Sequence, residues 1–378
     1  VNPLAAYADD YTRGLYWRRQ GGNTTPAGQL AVTRASGIFL PDSAGAVQTL
    51  GNNALPRTDR GLYANGQITN KCLNFNANPA DNTGLTLTGG ITVTQPVEAA
   101  MIAAAGLQNV CTSGRIYRAV ADSSTNTLTI NGTTGNTNPH TLSGWLYVVS
   151  GSVQIVLVGQ AALGTVSPNA GLTRFAFTGT PSTASRSMGF RTTDNAEYYF
   201  ILNQLQENSF ASPPIVVAGG AATLLASDIT AVPGTRPSNG QPEPFPGWEA
   251  AGLDAAHGGV AKVDVDRLSD SSTRFIAGAG VDASNLWRLI FDTDNRFKLI
   301  LRKSASDVLT LQSGVVSTLG LKQVEWRVKP GDYALSATGV AGATSASSET
   351  LPTGMTALRI GSNFALASPF NGWIEELQ

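Results

Sequence analysis

"LWRLIFDTDNRFKLILRK", Leu286 to Lys303, decides the fold class. Two apolar runs flank Asp294-Asn295, and the segment reads as a hairpin with that pair at its tip. Working outward, the same texture recurs. It is found in "AKVDVDRL" (Ala261 to Leu268), "TRFIAGAG" (Thr273 to Gly280), "VEWRVKPGDYALSATG" (Val324 to Gly339) and "ALRIGSN" (Ala357 to Asn363). Short strands at roughly 8–12-residue spacing with turn signals between them indicate a β-sandwich. The closing "FNGWIEELQ", Phe370 to Gln378, is then a sheet strand that buries Trp373 and Ile374.

The earlier half is also β in pattern. "GLTLTG" (Gly84 to Gly89) and "TRFAFTGT" (Thr173 to Thr180) alternate. "TLTINGTTG" (Thr127 to Gly135) carries Asn131-Gly132, a strong hairpin signal. "GWLYVVSGSVQIVLVG" reads as two strands around Ser150-Gly151. "AEYYFILNQLQE" (Ala196 to Glu207) reads as one long strand, with Tyr199, Ile201 and Leu205 on one alternation. The helical candidate is "VEAAMIAAAGLQN" (Val97 to Asn109), stopped by Gly106. Five prolines between Ala218 and Pro246 deny ladder hydrogen bonds and predict a linker or strap.

The fold class expected is all-β: two β-sandwich (jelly-roll-like) domains with an extended N-terminal segment. The boundaries are 1–32 for an attachment or oligomerisation segment and 33–217 for the first sandwich. The strap is 218–246 and the second sandwich 247–378.

Composition narrows the function. Charged residues are 13% of the 378, against roughly 25% in ordinary domains, and there are 41 Gly. Net charge is −1, so the basic excess that nucleic-acid binding requires is missing. No apolar run reaches the ~20 residues of a membrane span. Cys72 and Cys111 lack metal-ligand spacing and are expected as reduced, buried thiols, with a single bridge as the alternative.

Catalytic patterns are scarce. His140 in "TNPHTL" and His257 in "DAAHGG" sit in turn-like company without a neighbouring nucleophile or base, so no catalytic residue is assigned. Asp264 and Asp266 share one face of a strand and could hold Ca²⁺ or act as an acid pair. The competing reading is the solvent face of a strand with Val263 and Val265 inward. "DTDN" (Asp292 to Asn295) resembles the opening of a calcium loop, but a hairpin turn explains it better. Glycan binding needs aromatic platforms beside short polar side chains. Trp145, Trp248, Trp287 and Tyr333 are the candidates, each with a core reading beside it; Trp326 and Trp373 are read as core. Tyr7, Tyr11, Tyr16, Trp17, Arg18 and Arg19 form an aromatic and Arg-rich start, suited either to docking on a partner or to a capping strand.

Three stretches carry two resemblances. "TRASGIFLPDSAGAVQTLGNNALPRTDRGLYANGQITNKCLNF" (Thr33 to Phe75) resembles a recurring segment of bacteriophage and prophage virion proteins. The matching positions are Thr33, Arg34, Ala35, Ser36, Asp42, Gly45, Gln48, Thr49, Pro56, Arg57, Gly61, Leu62, Thr69 and Asn70. The Glu usual after the "GL" pair is replaced here. "NQLQENSFASPPIVVAGGAATLLASDIT" (Asn203 to Thr230) resembles the phrase that closes the family's jelly-roll, with Gln206 where Glu is common. "LPTGMTALRIGSNFALASPFNGWIEELQ" (Leu351 to Gln378) looks like the end of a concanavalin-like or laminin-G-like sandwich of phage fibre proteins.

The resemblance implies a head-spike, head-fibre or tail-fibre type of protein at the virion surface. It implies a carbohydrate-binding-module-like jelly-roll, other virion proteins and host surface polysaccharide as partners, and a homo-oligomer. The charge balance and the lack of a long apolar run leave no expectation of nucleic acid or of membrane insertion. The expected function is non-enzymatic binding without a cofactor, Ca²⁺ at Asp264 and Asp266 being the exception kept open. An architectural decoration subunit and a polysaccharide depolymerase are the alternatives.

Overall fold

A computed structural model describes residues 7–10, 15–18, 22–24, 30–64, 67–74, 76–122, 125–218, 220–225, 228–231, 236–238, 241–243, 257–268, 272–355, 357–361, 370 and 372–377. The chain forms two compact units: residues 1–35, 52–66 and 225–378 in one, and 36–51 with 67–224 in the other. Both are built from antiparallel sheets.

In the first unit the Leu286–Lys303 hairpin forms as expected. Strands Asn285–Phe291 and Phe297–Lys303 pair with Trp287 opposite Leu301, Leu289 opposite Leu299 and Phe291 opposite Phe297. Asn295 takes a left-handed turn conformation at φ 60°, which Asn tolerates. The flanking strands are Ser306–Gln312 on one side and Arg274–Asp282, Ala357–Ile360, Asp228–Ala231 and Leu30–Thr33 on the other. The second sheet has ten strands among the described residues. Its path runs Gly22–Thr24, Leu15–Arg18, Tyr7–Asp10, Gly372–Leu377, His257–Val265, Gly320–Val328, Tyr333–Ala337, Val340–Ser345.

Alternation explains the core between these sheets. In Gly320–Val328, Val324, Trp326 and Val328 are buried while Leu321, Glu325 and Arg327 are exposed. From the other sheet Trp287, Leu289 and Phe291 join the same cluster, with the Trp287 and Trp326 rings 5.9 Å apart.

The closing segment is a sheet strand. Ile374 lies opposite Val263 on one side and Leu62 on the other, and Trp373 and Ile374 are 6% and 0% exposed. Gly61, in strand Gly61–Ala64, is required there. Its φ is 120°, and a Cβ would stand 2.6 Å from the Ile374 carbonyl oxygen.

In the second unit two five-stranded sheets face each other. One is ordered Leu85–Thr88, Asn126–Ile130, Met188–Thr192, Val153–Leu157, Ala162–Val166. The other is ordered Thr92–Thr94, Tyr117–Val120, Glu197–Gln206, His140–Ser150, Thr173–Gly179. Leu128, Ile155 and Phe190 pack against Leu146, Tyr198 and Phe200, and the Phe190 and Phe200 rings are 5.1 Å apart.

A buried amide clamp ties the ends of this unit's chain. The Asn70 and Asn76 amides both donate to the Asn203 and Ile215 carbonyls. Asn70 accepts from Leu205 N–H, Asn76 from Val217 N–H, and Gln204 from Ile215 N–H. Buried backbone groups need such partners where no strand supplies them. Asn70, Asn203 and Gln204 thus have a structural task within the two phrases that carry the resemblance.

Several expectations change. Asn131-Gly132 does not close a hairpin. Strand Asn126–Ile130 belongs to one sheet and the next strand, His140–Ser150, to the other. Ser150-Gly151 also switches sheets. Tyr199, Ile201 and Leu205 do not share a face: Leu202 at φ 54° breaks the alternation, and Leu205 joins the inter-sheet core. The helix is confined to Ala99–Ala104.

The boundaries 1–32, 33–217, 218–246 and 247–378 do not coincide with the units. Strand Tyr7–Asp10 extends the sheet of the closing strand, with Asp9 opposite Leu377. Residues 52–66 belong to the first unit. In the expected strap, Ala222–Leu224 pairs with Ile68–Asn70, and Asp228–Ala231 pairs with Leu30–Thr33.

Ile374→Ala should lower the unfolding free energy of the first unit by about 2–5 kcal/mol through the cavity left behind. Glu325→Ala, on the exposed alternation, should change it by less than about 0.5 kcal/mol. Urea unfolding of the two variants checks both.

Candidate functional site

The outer face of the second unit's sheet, turned away from the inter-sheet core, is covered at one end and open at the other. At the covered end Trp145, opposite Ile201, packs with Ile102, Leu107, Val110 and Val47. These come from the helix Ala99–Ala104, the residues after it and the Ile38–Leu50 hairpin. Trp145 is 8% exposed, and the Arg174 guanidinium lies 5.1 Å from its ring centroid.

One register row further along, the face opens. Thr94, Arg118, Tyr199 and Tyr147 stand opposite one another across four adjacent strands. The Tyr147 and Tyr199 rings are stacked, with centroids 5.9 Å apart and planes 15° from parallel, and both are half-buried. Arg118 Nε donates to Glu197 Oε1 at 2.9 Å. That bond, ahead of the other influences, holds the guanidinium above its ordinary value. Burial pushes the Tyr199 phenol up, with Glu98 and Glu197 acting in the same direction and Arg118 against them.

Tyr147 is held from its far side. Strand Thr173–Gly179 stops opposite Leu146, and Asn169 takes over as neighbour. Its side-chain oxygen accepts from Val148 N–H at 2.7 Å, and its amide donates to the Leu146 carbonyl at 3.2 Å. The arrangement suits a sugar. C–H faces pack on rings, and hydroxyls find a carboxylate acceptor and guanidinium donors at the rim.

The expected platforms lie elsewhere. Trp287 and Tyr333 are core residues, 2% and 0% exposed, and Tyr333 donates its hydroxyl to the Glu349 carbonyl. Inward alternation in their strands puts them there, so neither offers a ring to a ligand. Trp145 lies on the right face but beneath its cover. Trp248 lies outside the described residues. So do Tyr11 and Arg19, while Tyr7, Tyr16, Trp17 and Arg18 are placed through backbone pairing alone.

Asp264 and Asp266 meet arginines. Arg60 is 3.8 Å from Asp264, and Arg267 and Arg274 are 2.9 and 3.4 Å from Asp266. Val263 and Val265 point inward at 0% exposure, as the solvent-face reading requires. In "DTDN", Lys298 Nζ bonds Asp292 at 2.7 Å and Asp294 at 2.9 Å, so a lysine serves the turn's carboxylates. Among the described residues no group of three or more His, Cys, Asp or Glu is placed to hold a metal ion.

His140 opens strand His140–Ser150 and is fully buried, a correction to the turn-like reading. Its Nδ1 lies 2.7 Å from the Asn138 carbonyl oxygen and its Nε2 3.2 Å from Lys71 Nζ. His257 enters strand His257–Val265 through its backbone, opposite Val328.

Tyr147 and Tyr199 were missed by sequence reasoning. "EYYF" shows three successive rings and "WLY" two on alternating positions, but only strand register brings the two tyrosines together.

No protein-family model and no curated protein matches the chain. Among solved structures the chain is similar to the CBM40 module of a Ruminococcus gnavus IT-sialidase bound to α2,3 sialyllactose. That likeness has 18% identity over 32% of this chain and 74% of that one, with a TM-score of 0.29. The same module bound to α2,6 sialyllactose gives 17% identity, 32% and 75% coverage and a TM-score of 0.29. Domains LG4-5 of the mouse laminin α1 chain give 8% identity, 93% and 87% coverage and a TM-score of 0.24.

Both cysteines are free and buried, and desolvation pushes each thiol up to about 12. Thiolate is the reactive form, so iodoacetamide at about pH 8 should leave Cys72 and Cys111 unmodified in the folded protein and alkylate both in guanidinium. Intact mass measures the difference. Rapid labelling of the folded protein would contradict the burial of these two residues.

Proposed function

We propose that the protein is a non-enzymatic binding protein that holds a surface polysaccharide on the Tyr147–Tyr199 face. The observation that carries the proposal is the near-parallel pair of half-buried rings beside the Arg118–Glu197 ion pair. The sequence resemblance to phage virion proteins supports the finer reading. In it the protein is a fibre or spike on a phage-like particle, assembled with other virion proteins as a homo-oligomer and attaching to host-surface polysaccharide. Weak single sites would be raised by many copies through effective concentration. No cofactor enters this reading.

The burial of Trp145, Trp287 and Tyr333 favours the second reading, an architectural subunit that binds viral proteins alone. A pull-down on purified host-surface polysaccharide separates the two. Saturable binding is expected, unchanged by EDTA, with the polymer left at its original length. Tyr147→Ala and Tyr199→Ala should each weaken it by about tenfold. Full binding in the double variant would remove this face from the account. Absence of binding by the wild-type protein would leave the architectural reading, and shortened polymer would make the protein a depolymerase.

A further inference from the structure

Resting on the glycan reading, we infer that the Tyr147–Tyr199 face takes an uncharged polymer, of neutral hexoses or N-acetylhexosamines, and disfavours sialic-acid or uronic-acid chains. Recognition of a sugar carboxylate calls for a guanidinium with its donors directed to the ligand. Arg118, the cation in the row of the two rings, directs its Nε to Glu197 instead, at 2.9 Å. Glu98 adds a second carboxylate whose field reaches the Tyr199 hydroxyl. One guanidinium therefore stands against two carboxylates around the rings.

The other arginines near this sheet are engaged differently. Arg174 is stacked on Trp145 at 5.1 Å and donates to the Ser212 carbonyl. Arg115 lies before strand Tyr117–Val120 and donates to the Gln95 carbonyl at 3.0 Å. A polymer carboxylate approaching the rings would meet Glu197 before it met an undirected cation. A hydroxyl meets no such opposition: Glu197 accepts from it, and Arg118 and the exposed Thr94 hydroxyl can donate to it.

Full-length protein is titrated against two neutral polymers, a glucan and a galactomannan, and two anionic ones, polygalacturonate and polysialic acid, at low and high salt. Binding of a neutral polymer at least tenfold tighter than either anionic one, with little change in high salt, is expected. Glu197→Gln removes the negative charge that answers the Arg118 guanidinium. It should raise affinity for polygalacturonate several-fold, in a salt-sensitive manner, and the added Arg118→Gln change should abolish that gain. Circular dichroism verifies that the variants fold. Wild-type preference for an anionic polymer, or a Glu197→Gln variant with no gain, overturns this inference and leaves glycan binding standing. Binding of none of the four polymers, nor of host-surface polysaccharide, overturns the glycan reading together with the inference.

Discussion

The Glu197–Gln206 strand is buried on both faces from Phe200 onward, and the break in alternation at Leu202 sets the geometry of the second unit. Tyr198 and Phe200 fill the space between the sheets. Tyr199 and Ile201 occupy the outer face. At Leu202, φ of 54° shifts the alternation, so Leu205 returns to the inner core and Gln204 turns to the amide clamp. A non-glycine residue in that conformation persists only when its surroundings hold it. The Asn76 carbonyl accepting from Leu202 N–H at 2.6 Å supplies part of that hold. An unbroken strand would place Leu205 outward and lose the clamp partners of residues 215–217.

The same break decides which rings meet solvent. Register on the Glu197 side of it sets Tyr199 opposite Tyr147, and the bulge between Ser143 and Trp145 sets Trp145 opposite Ile201 under the helical segment. Trp145 and Tyr147 are two residues apart on one strand and face the same way. One is covered and the other open because the covering segment ends between them. Exposure on this face is therefore a property of what packs over the sheet, and the strand sequence does not encode it.

That distinction explains what could be read in advance. Local signals were legible: the Leu286–Lys303 hairpin, the closing strand, the inward Val263 and Val265, the short helix before Gly106. Each rests on alternation or turn chemistry within about a dozen residues. Asn131-Gly132 failed because a turn pair specifies a change of direction and leaves the next strand's sheet undetermined. Trp287 and Tyr333 failed as platforms because an isolated large aromatic on a strand has two faces available, and volume favours the buried one. The unit limits were not legible because Gly61–Ala64 pairs with Gly372–Leu377, at the far end of the sequence, and no local signal announces that pairing.

Charge placement follows a consistent rule across both units. With 13% charged residues, few ions are available, and many meet an opposite charge within the chain. Lys298 joins Asp292 and Asp294, holding Asp292 below its usual range against the cost of burying it. Asn138, ahead of Lys71, does the same for Glu207. Arg267 and Arg274 answer Asp266, and Arg118 answers Glu197. Where such pairs are partly exposed, as Arg118–Glu197 is, they add little to stability. Their effect on recognition is larger, because paired ions present weak fields at a distance. On such a surface, ring faces, hydroxyls and shape remain as the features a proposed neutral polysaccharide would meet.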